Sequence, residues 1–209
     1  MTSFDINCKR CPRLADFLRE VKASYPNYHS KPVAPFGDPN AHFLVVGLAP
    51  GMHGANATGR PFTGDFAGIL LYETLHKFGF ASAPTSVDRD DGLRLRNCRI
   101  TNAVKCLPPE NKPIGSEINT CNDFLAAELA SLPANGVILA LGTIAHRSVL
   151  RALGRKQSGY PFSHGAVHHF SDELALVDSY HCSRYNTQTR RLTPAMFEQV
   201  FTLITDLLG

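Results

Sequence analysis

Gly47-Leu48-Ala49-Pro50-Gly51-Met52-His53-Gly54-Ala55-Asn56-Ala57-Thr58-Gly59-Arg60-Pro61-Phe62-Thr63-Gly64-Asp65 holds five glycines in 19 residues. It follows strand-like His42-Phe43-Leu44-Val45-Val46 and precedes a helical pattern, Ile69-Leu70-Leu71-Tyr72 to Leu75 and Phe78. A glycine-rich strand-to-helix loop lets backbone N–H groups come close to a ligand at the carboxyl end of a parallel strand. The glycines fit neither G-x-G-x-x-G nor G-x-x-x-x-G-K-[ST], so the usual phosphate cradles are excluded. The stretch reads as a binding loop of an α/β protein.

Outward from this loop, strands and helices alternate. Towards the N-terminus, Tyr25 to Asn40 carries four prolines and reads as an irregular connection, after a helix from Pro12 to about Lys22 with Leu14, Phe17, Leu18 and Val21 on one face. Beyond the loop's own helix, Ala81 to Asn97 is polar and acid-rich and reads as loop. Arg99 to Val104 is a second strand, stopped by Pro108 and Pro109. Ser116 is expected to cap a helix from Glu117 to Ser131. Gly136 to Leu141 is a continuous apolar run, as for a strand covered on both faces, and a helix runs from Thr143 to Leu153. After a basic, polar loop from Gly154 to Val167, Leu174 to Tyr180 is the fourth strand. A polar loop, His181 to Thr193, leads to a helix from Pro194 to Leu208. The expectation is one domain over residues 1–209: a three-layer α/β/α sandwich around a four-stranded parallel sheet.

With 209 residues, 44% of them hydrophobic, the chain can build an ordinary core. Net charge is +3 and the sequence pI about 8.6, which permits nucleic-acid contact without demanding it. No apolar run approaches the roughly 20 residues a membrane helix needs. Met1 to Asp5 has neither a basic nor an apolar signal region, so a cytoplasmic location is expected. Six cysteines in a reducing compartment favour metal binding over disulfides. Cys8 and Cys11 form a C-x-x-C. With Cys106 and Cys121 they could converge on one centre if the N-terminal helix packs beside the second strand. Sulfur ligands suit zinc and iron–sulfur alike. Cys98 and Cys182 read as packing thiols.

Gly-Leu-Ala-Pro-Gly at 47–51, Thr-Gly-Arg-Pro-Phe-Thr-Gly-Asp at 58–65 and Thr-Asn-Ala-Val-Lys-Cys at 101–106 are followed by Leu-Gly-Thr at 141–143 and His-Cys-Ser-Arg-Tyr-Asn-Thr at 181–187. In this order, over about three-quarters of the chain, they resemble the family 5 branch (UDGb type) of the iron–sulfur uracil-DNA glycosylases. The resemblance implies a [4Fe–4S] cluster on Cys8, Cys11, Cys106 and Cys121. It also implies a monomeric, monofunctional glycosylase of DNA repair that removes uracil, and other deaminated bases such as hypoxanthine and xanthine, from single- or double-stranded DNA. Family 4 relatives carry an acidic residue at the second position of Gly-x-Ala-Pro-Gly. Leu48 and Ala49 cannot polarise water, which fits family 5. Two alternatives are a narrow, family 4-like uracil glycosylase and a non-catalytic iron–sulfur DNA-binding module.

Such chemistry needs a flipped nucleotide, a base pocket and a sink for the charge on the departing base. Gly47 and Ala49 would let the base approach the loop, and Phe62 would stack on it. Asn102, at a strand end, could donate and accept along the O4/N3–H edge of uracil. His181 could donate to O2 as in an oxyanion hole. Asn56 could position water or the sugar, and Asp65 could offset sugar cation charge or cap a helix. Ser183, Arg184 and Tyr185 suit phosphates and the gap left by the flipped base, with Asn186, Arg190 and Arg191 nearby. Arg147, Arg151, Arg155 and Lys156 read as a solvated face. A metal reading of His164, His168 and His169 is set aside for want of a carboxylate or cysteine partner in the pattern.

Overall fold

A computed structural model describes residues 3–171 and 173–209. Strands β1 (Phe36–Gly37), β2 (Phe43–Gly47), β3 (Cys98–Asn102), β4 (Gly136–Leu141), β5 (Val167–Ser171) and β6 (Leu174–Ser179) form one sheet in the order β1-β3-β2-β4-β6-β5. Its four inner strands are parallel, as expected. The count of four is corrected to six, because β1 and β5 add antiparallel edges. β1 lies in a segment read as irregular, and β5 starts at the end of the loop read to Val167 and runs on into residues to which the sequence pattern gives no element. β1 is two residues long, among prolines, and the histidines of β5 have no strand-like apolar alternation. Each exists because a neighbouring strand supplies hydrogen-bond partners.

Among the described residues there are seven α-helices: α1 (Pro12–Ser24), α2 (Ala55–Thr58), α3 (Phe66–Lys77), α4 (Gly115–Ala130), α5 (Thr143–Ala152), α6 (Arg184–Gln188) and α7 (Pro194–Leu208). The sheet separates two cores, as the period-2 geometry of a strand requires. Phe43 and Val45 point to Leu71, Leu75, Phe197 and Phe201 of α3 and α7, while Leu44 and Val46 point to Leu125, Leu129 and Val149 of α4 and α5. Each fully buried aliphatic or aromatic side chain contributes about 1.5–3 kcal/mol. The expected three layers therefore stand.

Three local expectations change. Ser116 lies inside α4; the helix begins after Ile114, whose N–H donates to Glu117 Oε2 at 2.9 Å, so a glutamate reaching back satisfies the end. The second strand stops at Asn102 instead of Val104, since Ala103 N–H and Val104 N–H turn to the carbonyls of Gly47 and Leu48. The short helices α2 and α6 replace parts of two polar loops.

The sheet grows outward from β2 to β3 and then back across β2 to β4. Loops on opposite sides of such a switch point part at the carboxyl ends of the strands and leave a crevice there.

Candidate active site

A cleft of about 420 Å³ lies at that end, between the glycine-rich loop, the end of β3 and the segment after β6. Its walls include Ala49, Phe62, Asp65, Asn102, Asn111 and His181. Gly47 pairs in register with Asn102 across β2 and β3. A Cβ on Gly47 would overlap both the Asn102 carboxamide and the Phe62 ring, so glycine is what allows those two groups to close over the strand end.

Phe62 adopts a left-handed backbone (φ 54°), unusual for a bulky residue, and is 5% exposed. A network pins it. Tyr72 Oη donates to Pro61 O at 2.9 Å, Arg60 Nε donates to Thr63 Oγ1 at 3.0 Å, and Arg60 Nη2 reaches Ser86 Oγ and Asp91. Burial drives the Tyr72 phenol up to about 12, so it stays a donor. For Asp91, burial acts to raise the carboxyl, but Arg60 and the N–H groups of Leu93, Val87 and Asp88 hold it well below the usual carboxylate range. The Phe62 ring lies 6.0 Å from that of His181 at 29°.

Asn102 is 4% exposed and its Oδ1 has no hydrogen-bond partner. A buried acceptor left empty costs free energy, about 1–3 kcal/mol, and marks a place where a ligand donor belongs. Burial alone lowers the His181 imidazole to about 4, so it is neutral near pH 7. Asn186 Nδ2 donates to His181 O at 2.8 Å and fixes its backbone.

Asp65 lines the cleft and also caps α3, accepting from Gly68 N at 2.8 Å. Burial raises its carboxyl, opposed by the N–H groups of Gly68 and Ala67. Asn56 is not brought to the cleft wall. It is fully buried behind the loop, with Nδ2 turned to Met52 O. Asn111, which the sequence reading missed, is a wall residue in a left-handed conformation (φ 56°) within the turn Pro109–Asn111. The signal was an asparagine after two prolines, since asparagine tolerates this conformation better than most residues.

The uracil DNA glycosylase superfamily model matches residues 34–204. The chain belongs to that superfamily. It is 46% identical to the type-5 uracil-DNA glycosylase of Thermus thermophilus over 198 residues, covering 92% of this chain and 90% of the relative. It is 42% identical to the type-5 enzyme of Pyrobaculum aerophilum, covering 93% and 86%. A type-4 uracil-DNA glycosylase of the same archaeon is 31% identical over 151 residues, 72% of this chain and 63% of the relative. The protein is thus a DNA glycosylase, a hydrolase.

In this glycosylase the mouth of the cleft is framed by α6. Ser183 caps α6 and lines the cleft, Arg184 lines it with its guanidinium 5.0 Å over the Phe66 ring, and Tyr185 projects at the rim, 70% exposed. Arg147 and Arg151 face a separate groove between α4 and α5.

Cys8, Cys11, Cys106 and Cys121 do converge, around one small cavity with Leu14 and Phe124. Ion pairs Arg10–Asp123 at 2.6 Å and Arg13–Glu117 at 2.7 Å draw the start of α1 onto α4 and bring the two pairs together. Burial raises three of the thiols: Cys11 upward, Cys106 strongly, and Cys121 to about 11 even though the Lys105 ammonium and N–H (3.3 Å to Sγ) act to lower it. The donor set fits a thiolate-ligated centre.

The histidine expectation also changes. Asp178, from β6, stands between His146 and His168, with Oδ1 2.8 Å from His146 Nδ1 and Oδ2 3.0 Å from His168 Nε2. The carboxylate that the pattern lacked comes from another strand. The distances are those of hydrogen bonds, which tie α5 to β6 and β5.

Proposed function

We propose that this glycosylase excises uracil, and also hypoxanthine and xanthine, from DNA by extruding the nucleotide into the cleft. The observation that carries the reading is the unpartnered Asn102 Oδ1 beside Phe62 and His181. Uracil presents N3–H next to a carbonyl, and an amide that accepts from the N–H while donating to the carbonyl matches that edge. Hypoxanthine and xanthine carry the same N–H/C=O pair, whereas cytosine and adenine do not. Guanine and thymine also carry it, and there the cost of leaving a good pair disfavours extrusion.

Phe62 stacks on the extruded base, with Gly47 and Ala49 leaving room for it. His181, neutral, donates to O2 and disperses the charge that develops as the glycosidic bond breaks. Asn111 holds the attacking water on the open wall, a role for which Asn56 is too deeply buried. With Leu48 and Ala49 apolar, no side chain of that pair deprotonates the water. Bond breakage runs ahead of attack, and Asp65 offsets the positive sugar while capping α3. Ser183, Arg184 and Tyr185 take the flanking phosphates and the vacated stack. Cys8, Cys11, Cys106 and Cys121 would hold a [4Fe–4S] cluster, whose contribution is to cross-link α1 to the β3–α4 turn.

Abasic-site formation on oligonucleotides bearing uracil, hypoxanthine or xanthine tests the reading. Product from all three bases is expected. Product from uracil alone would leave a narrow enzyme, and none from any base would end the reading.

A further inference from the structure

Beside the cleft, groups after α1 form a surface that the base pocket does not use. Tyr25 and Tyr28 stack with centroids 4.7 Å apart and planes 16° from parallel. His53, from the glycine-rich loop, lies edge-on to both at 5.7 and 5.9 Å. Near-equal distances put the imidazole alongside the stack, not over its outer side, and Tyr28 Oη is 2.8 Å from His53 Nδ1. Tyr25 keeps 38% of its surface in solvent.

Next to the pair runs a groove of about 330 Å³ bordered by Lys9, Arg19, Lys22 and Lys31, with no acidic side chain along it. Arg19 is engaged by Asp16 and Lys22 by the Tyr28 carbonyl, but Lys9 and Lys31 have no ion pair among the described residues. Ser30 also borders the groove. It is 7% exposed, left-handed (φ 46°), and its Oγ has no partner. Its N–H donates to Asn56 O at 3.0 Å, so this wall of the groove is tied to the loop that builds the cleft.

We propose that this face holds a single-stranded stretch of DNA next to the extruded nucleotide, with one base on the outer side of Tyr25 and the phosphates along Lys31 and Ser30. The proposal rests on the glycosylase reading above. Aromatic rings set beside a cationic groove are how proteins hold unpaired strands, because every base has a face to stack and every nucleotide a charge. A duplex keeps its base faces inside and offers nothing to Tyr25. The Ser30 hydroxyl, buried and unpaired, finds an acceptor in a phosphate oxygen.

The test is anisotropy titration of the full chain with a labelled undamaged oligothymidylate and with an undamaged duplex of equal length. For the single strand, Tyr25→Ala is expected to raise Kd about ten-fold and Tyr25→Phe to leave it within about two-fold. Lys31→Gln should flatten the slope of log Kd against log salt by about 0.7. Duplex affinity should move far less. Unchanged single-strand affinity in Tyr25→Ala overturns the proposal. So does an equal loss for both DNAs, which would make the tyrosine pair a mere brace for the loop. Failure of the glycosylase reading shows separately, as a wild-type chain that forms no abasic sites.

Discussion

Asn102 is a residue whose interest to stability and to function run in opposite directions. An empty buried acceptor costs the folded state, while a lactam N–H would repay it only in the complex. Asn102→Ala is therefore expected to lower abasic-site formation at least about 100-fold. Its melting temperature should stay level or rise, which separates a recognition residue from one that merely ties strand to loop. His181 gives a pH test. Its folded value of about 4 lies below the roughly 6.5 of an unfolded chain, so the unfolded state binds the extra proton first. Stability is expected to fall as pH drops from about 6.5 towards 4, and His181→Asn should remove part of that slope in denaturant titrations. Proton NMR of the imidazole should show it neutral at pH 6.

At the scale of elements, the decisive object is the clamp that holds the glycine-rich loop between β2 and α3. Arg60 is 3% exposed and ties the loop to Asp91 in the acid-rich segment before β3. Removing the Asp91 charge leaves the buried Arg60 guanidinium without its anionic partner, which lowers stability. Asp91→Asn is thus expected to lower the melting temperature, and also to lower kcat, since Phe62 loses its left-handed hold. A variant that melts lower but turns over at the parental rate would show that the clamp serves stability alone. The acid-rich segment was legible as a loop, but not as the partner of Arg60. Asp91 and Arg60 are 31 positions apart and no local pattern links them.

Over the whole molecule, α1 belongs to the fold through Leu14, Leu18 and Val21, buried among Val104, Leu107 and Phe124, and through the cysteine cavity and two ion pairs. A bound centre would add to that apolar packing by cross-linking the start of α1 to the turn after β3. The purified chain is expected to carry about four irons. Cys121→Ser should lose them, and limited proteolysis should then cut first within residues 3–24. An iron-free wild-type chain with the same protection would remove the cluster from the account.

The sequence by itself determined the elements whose cause is local. Alternating apolar runs dictate four parallel strands between two helical layers, prolines and glycines punctuate them, and the loops that carry Phe62, Asn102 and His181 fall at one end of the strands. It also marked the four cysteines that meet. Tertiary structure alone decided what depends on a neighbour far along the chain. The edge strands β1 and β5 exist only through their partners, Asp178 reaches two histidines from another strand, and Asn111 comes to the cleft wall as Asn56 is drawn behind it. Such contacts are set by how layers close on one another, and a one-dimensional pattern has no term for that closure.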